Sequence, residues 1–216
     1  MTETIELIVL STTQVRENAL VVQTLSREWG RRGFLVRSAK KAQMSMFLPL
    51  NILEAEVTDT PKSELKTLRR ITPGAPLLGI RNNLYKNTMT LFLSELLLRT
   101  VREGAIEDGL VDWCVGSILT LDALEHDFAN FPVRFLAEFA GVLGFRPTLE
   151  DIAPFSAERT SLLAPIVQGS FADAMLAPLN GATRNALCED LVRYLEFHTD
   201  QPIRIKSLSV LRELYR

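Results

Sequence analysis

Ile5-Glu6-Leu7-Ile8-Val9-Leu10, Ala19-Leu20-Val21-Val22 and Phe34-Leu35-Val36-Arg37 are three short runs rich in β-branched, aliphatic and aromatic residues. Such side chains suit a pleated, half-buried surface. Turn-forming groups stand around them: Arg16-Glu17-Asn18, Trp29-Gly30-Arg31-Arg32-Gly33 and Asp59-Thr60-Pro61. Two further runs, Phe47 to Val57 and Leu65 to Ile71, complete a set of about five strands in about seventy residues. A small barrel follows, and the five-stranded OB-fold is its natural form.

Beyond Thr72-Pro73-Gly74 and Pro76 the period changes. Tyr85, Met89, Phe92 and Leu96 recur at helical spacing, with Leu93, Leu97 and Val101 as an adjacent stripe. The spacing predicts a nearly buried helix over Leu84–Arg102. Further helices are predicted over Leu110–Leu124, Asn130–Leu143 with Pro132 in its first turn, Thr183–His198 and Ser207–Tyr215. Pro147, Pro154 and Pro165 predict irregular structure over 146–170. The fold class is α+β, a five-stranded OB-fold barrel in residues 1–72 followed by an all-helical domain in residues 73–216.

Of the 216 residues, 47% are hydrophobic and 23% charged, the balance of an ordinary globular protein. No apolar stretch approaches the roughly 18 residues of a membrane span. The acidic start Met1 to Glu6 is unlike a signal peptide, so a cytoplasmic address is expected. Cys114 and Cys188 stand alone and read as buried thiols. The net charge of -2 conceals a polarity. Residues 1–71 carry eleven Lys/Arg against eight Asp/Glu, and the remainder thirteen against eighteen.

Chemistry for catalysis is scarce. His126 and His198 have no metal-ligand spacing, and neither a phosphate-binding glycine loop nor a nucleophile elbow is present. Glu150-Asp151 and Glu189-Asp190 are adjacent acids that point apart. An enzyme using the acids of the irregular segment remains a rival reading, and no cofactor or metal is expected.

Arg27, Arg31, Arg32, Arg37, Lys40 and Lys41 place six cations within fifteen residues against the single acid Glu28. Two readings are open: a solvated charged turn with Trp29 in the core, or a cationic rim that neutralises phosphates while Trp29 stacks a base. Lys62, Lys66, Arg69 and Arg70, then Arg81 and Lys86, either extend that rim or form an ordinary charged strand and linker. Phe128, Phe131, Phe135 and Phe139 recur at helical spacing and read first as core. The alternative is a slot edged by Arg134 or Arg146 that accepts an apolar, acid-terminated peptide.

Taken in order, these segments resemble the RecO family of bacterial recombination mediators, particularly its Bacteroidetes-type members. The match rests on Ile8-Val9-Leu10, on Arg16-Glu17-Asn18-Ala19-Leu20-Val21-Val22 leading to Ser26-Arg27-Glu28-Trp29-Gly30, and on Phe34-Leu35-Val36-Arg37-Ser38-Ala39-Lys40-Lys41, similar to the family's VRGARK strand. Asp127-Phe128-Ala129-Asn130-Phe131, Phe135-Leu136, Leu143-Gly144-Phe145-Arg146-Pro147 and Ile205-Lys206-Ser207-Leu208-Ser209-Val210-Leu211 continue it. The resemblance implies binding to single- and double-stranded DNA, annealing of complementary strands and help in loading RecA onto strands coated by single-stranded DNA-binding protein (SSB). It implies RecR and the C-terminal tail of SSB as direct partners, RecA as an indirect one, no membrane, and a cytoplasmic, nucleoid-associated place. On this reading Arg16, Arg27, Arg31, Arg32, Arg37, Lys40, Lys41, Lys66, Arg69, Arg70, Arg81 and Lys86 are the DNA-binding candidates. Phe131, Arg134, Phe135 and Arg146 are those for the SSB tail. Two departures stand out: the cysteine quartet that binds zinc in many relatives is absent, and Ser38 replaces the family glycine. A protein-interaction adaptor without DNA affinity is the competing non-enzymatic reading.

Overall fold

A computed structural model of the chain describes residues 2–17, 19–37, 41–58 and 65–214. Five strands come first: β1 (Thr2–Arg16), β2 (Ala19–Ser26), β3 (Gly30–Arg37), β4 (Ile52–Thr58) and β5 (Thr67–Pro73). They close into a barrel in the order β1-β2-β3-β5-β4. All neighbours are antiparallel except β3 and β5, which run parallel. This is the expected five-stranded barrel, with local changes. Phe47 ends a 3-10 stretch, Lys41–Phe47, and β4 begins five residues later.

Alternation along each strand sends one set of side chains inward. Leu7, Val9, Val22 and Phe34 are completely buried in the barrel core, with Val36 and Leu68 nearly so. Each such side chain stabilises the fold by about 1.5–3 kcal/mol through burial alone. The hairpin between β2 and β3 is tighter than the sequence predicts: the turn is Arg27–Trp29, so Arg31 and Arg32 lie within β3. Gly30 permits this. Its φ is 56°, and a Cβ there would stand 2.0 Å from the Ala105 carbonyl oxygen.

The helices are α1 (Leu78–Arg81), α2 (Leu84–Thr100), α3 (Leu110–Ala123), α4 (Phe131–Val142), α5 (Leu149–Ser156), α6 (Ala164–Val167), α7 (Phe171–Leu176), α8 (Gly181–Thr199) and α9 (Ser207–Leu214). Two compact units result. One joins the barrel, Met1–Leu77, to Leu93–Val115; the other combines Leu78–Phe92 with Gly116–Arg216. In the second unit α4 packs on α8, burying Phe135, Leu136 and Phe139 on one side and Leu187, Leu191 and Tyr194 on the other. The amide of Asn130 donates to the carbonyls of Ala174, Met175 and Ala177 and so ties the end of α7 to the start of α4.

Segment 146–170 departs from expectation: it holds α5, a 3-10 stretch Ala157–Leu163, and α6. Pro147 lies outside a helix and Pro165 in the first turn of α6, where a missing N–H costs nothing. Of the three, Pro154 alone falls beyond the first turn of a helix. The overlooked signal was the capping box. The Thr148 hydroxyl accepts from the Asp151 N–H while the Asp151 carboxylate accepts from the Thr148 N–H, and Ser170 with Asp173 repeats the device at α7. Those hydrogen bonds hold both carboxyls below the usual carboxylate range.

Cys114 and Cys188 are both buried free thiols. Burial raises both, Cys188 to about 12, so neither is a thiolate at neutral pH. No helix among the described residues is long and apolar enough to cross a membrane.

Candidate nucleic-acid interface

Strand register brings together cations that the sequence keeps apart. Arg16 on β1 pairs with Ala19 on β2, and Ala19 pairs with Arg37 on β3. The parallel β3–β5 pairing matches Val36 to Leu68, so one further step sets Arg37 level with Arg69. Leu20, Val36 and Leu68 point into the core, and alternation therefore turns Ala19, Arg37 and Arg69 outward. The result is a row across the barrel, Arg16–Ala19–Arg37–Arg69. At roughly 4.8 Å per strand it spans about 14 Å. All three arginines are exposed, and none has an ion-pair partner among the described residues.

Arg70 adds a fourth cation through an irregularity. Between the pairs Glu54–Thr72 and Glu56–Arg69 a single residue of β4, Ala55, faces both Arg70 and Ile71 of β5, which is a β-bulge. Regular alternation after Leu68 and Arg69 would turn Arg70 into the core and Ile71 out of it. The bulge reverses this, so that Arg69 and Arg70 are both exposed and Ile71 packs against the core. Arg70 adopts φ 48°, a left-handed conformation that costs a residue with a Cβ about 1–2 kcal/mol. Its Nη1 donates to Oε1 of Glu56 at 2.6 Å, and its side chain is 80% exposed.

Arg27, Arg31 and Arg32 of the basic segment are occupied within the barrel unit. Arg27 bonds to Glu6 through Nη1 and to Asp112 through Nε, and the two carboxylates raise its pKa further. Because Glu6 stands directly opposite Glu54 across the β1–β4 pair, Arg27 also relieves a like-charge contact. Arg31 donates from Nε to the Val101 carbonyl at 2.6 Å and accepts at its own carbonyl from the Gly104 N–H. Arg32 and Lys66 both lie over the Trp29 ring, at 5.2 and 4.7 Å from its centre. Trp29 itself packs on the core, edge-on to Phe34. Its ring is thus a support for two cations rather than a bare stacking surface. Lys40 lies outside the described residues, and Lys41 opens the 3-10 stretch.

Arg81 and Lys86 belong to the helical unit, and each has its partners there. The Arg81 guanidinium, its pKa lowered by burial, donates to Asn87. Lys86 is only 3% exposed. Its ammonium donates to the Asp122 carbonyl at 3.0 Å and sits 5.2 Å from the Phe128 ring centre. Burial lowers its pKa against the opposing pull of Asp122 and Glu125. Replacing Lys86 with alanine is therefore expected to lower the thermal midpoint. Oligonucleotide affinity should stay within about twofold, since a side chain that neutralises no phosphate adds nothing to the salt-dependent part of binding. A fluorescence-anisotropy titration checks it; a large loss of affinity would return Lys86 to the interface.

The phenylalanine stripe is core. Phe131 and Phe135 are 3% exposed and Phe139 fully buried, with successive ring centres 6.2 Å apart. Arg134 is committed to Glu138 and to the carbonyls of Ile166 and Gly169, closing the end of α6. Arg146 is exposed, but the rings beside α4 offer it no open slot. Phe197 of this unit is 70% exposed and meets Phe155 and His198 through its ring. Arg193 close by donates to the Phe155 carbonyl and pairs with the buried Asp190 carboxylate, its side chain staying half exposed. Sequence spacing gave no signal for this cluster, because it joins α5 to α8.

Barrel, arginine row and helical unit define the class: an OB-barrel protein with one cationic flank and a helical C-terminal portion. Its sequence matches the family model for the N-terminal part of recombination protein O over residues 1–76 and that for the C-terminal part over residues 81–153. It is 30% identical to the DNA repair protein RecO of Phocaeicola vulgatus and to that of Bacteroides fragilis, in each case over 96% of this chain and 97% of the relative. It is 27% identical to the DNA repair protein RecO of Flavobacterium psychrophilum, over the same shares. The chain belongs to the RecO family of DNA repair proteins.

Proposed function

We propose that this protein binds single- and double-stranded DNA through the β3–β5 flank of its barrel, anneals complementary strands, and helps load RecA onto SSB-coated strands together with RecR. It acts by binding, without a covalent step, on the nucleoid in the cytoplasm. The observation that carries the reading is the row Arg16, Arg37 and Arg69, extended by Arg70: four exposed arginines on strands β1, β3 and β5 of one barrel. Arginines so placed neutralise phosphates and release the counterions condensed on them, which favours binding irrespective of sequence. Screening phosphate repulsion lets two strands approach, and base pairing supplies the free energy of annealing. The acidic, Phe-ending SSB tail requires an apolar surface beside a cation. With the Phe131–Phe139 stripe closed, the Phe155–Phe197 surface beside Arg193 fits that requirement best.

The test is annealing of complementary strands coated with SSB, using SSB with and without its tail. The tail should be needed for fast annealing, and Phe197→Ser should abolish the difference between the two. Annealing no faster than the spontaneous rate on either substrate would refute the reading. An adaptor without DNA affinity would give that result and would show no salt-dependent binding.

A further inference from the structure

We infer that the β5 bulge is a binding site for one phosphodiester group, occupied in the free protein by the carboxylate of Glu56. The inference rests on the DNA-binding reading above and names the point on the barrel at which one phosphate is held. Three observations converge on it. Arg70 holds a left-handed backbone, φ 48°, that glycine or asparagine would adopt with less strain. Strain of this kind on an exposed side chain points to use of that side chain. Second, the bulge turns two consecutive arginines outward next to Glu56, which is the cross-strand neighbour of Arg69 and the hydrogen-bond acceptor of Arg70.

Third, the two partners are unequally exposed. The Glu56 side chain is 21% exposed while that of Arg70 is 80% exposed. The carboxylate lies low on the sheet and the guanidinium reaches over it, with only one of its five N–H donors engaged among the described residues. Carboxylate and phosphodiester present guanidinium with the same chemistry, paired anionic oxygens that accept two parallel N–H bonds. Glu56 is therefore an internal stand-in for the ligand. An exposed ion pair is weak, so a DNA phosphate can displace it; the pair weakens the DNA interaction without abolishing it.

Glu56→Gln removes the competitor and keeps the side chain's size. Binding to an oligo(dT) of about 16 nucleotides, the upper footprint of one such barrel, should become roughly fivefold tighter at 0.1 M salt. The slope of log K against log salt should steepen by about 0.7, the contribution of one phosphate contact on a single strand. Arg70→Gly, which keeps the backbone conformation, should weaken binding by a similar factor and retain the wild-type far-UV spectrum. In the Arg70→Gly background the Glu56→Gln change should have little effect. Unchanged affinity and slope in Glu56→Gln overturn the inference alone, provided the wild-type chain binds. Equal tightening in both backgrounds also overturns it, because the effect would then be one of overall charge. Absence of salt-dependent binding by the wild-type chain overturns the underlying reading and this inference together.

Discussion

Replacing Arg16, Arg37 and Arg69 together by alanine is expected to weaken binding of single-stranded DNA roughly 100-fold at 0.1 M salt. The magnitude follows from counterion release: three lost phosphate contacts reduce the salt slope by about 2, or by about 2.7 on duplex. The arginines are exposed and have no ion-pair partner among the described residues, so the thermal midpoint should be unaffected. An equal number of substitutions among Arg27, Arg31 and Lys86 supplies the control. Those cations serve Glu6 and Asp112, the Val101 carbonyl and the Asp122 carbonyl, and their loss should reduce stability far more than affinity. If the control triple abolishes binding and the row triple does not, the interface has been placed on the wrong side of the barrel.

Phe135→Ala should cost about 3–5 kcal/mol of stability, the usual penalty for emptying a buried aromatic site. For a chain of this size that lowers the midpoint by roughly 6–20 °C. Phe135 is 3% exposed and lies between Phe131 and Phe139, each 6.2 Å away ring to ring. Its loss removes contacts on two sides and leaves a void that α8 cannot fill without moving. A Phe135 that lined an open peptide slot would behave differently, losing peptide affinity with the midpoint retained. Thermal melts followed by circular dichroism separate the two. Phe197→Ser should give the opposite result, with the midpoint preserved, since 70% of that side chain already faces water.

The barrel was legible in the sequence because its inward residues, such as Leu20, Val22, Phe34 and Val36, alternate with partly exposed ones over short spans. The helices of α2, α4 and α8 were legible from the same rule at another period. The interface was legible only in part. Arg16, Arg37, Arg69 and Arg70 were among the candidates, but their adjacency depends on register, and register depends on irregularities near Arg16 and Arg70 that no local pattern announces. The cluster Arg27 to Arg32 looked like one rim because it is dense in sequence. In the structure Arg27 and Arg31 turn toward partners seventy or more residues away, while Arg32 lies on Trp29. Glu56 carries no signal in the sequence, because an acid on an outward strand face is unremarkable until its cross-strand neighbours are known.

The central claim, that the barrel holds DNA by its phosphates through exposed arginines, is tested most directly by the salt dependence of wild-type binding. Titrating the full chain against a fluorescent oligo(dT) between roughly 0.05 and 0.2 M salt should give a log–log slope of about −2 or steeper, as the three contacts of the arginine row require. A slope near zero, or no binding at the lowest salt, would contradict the account.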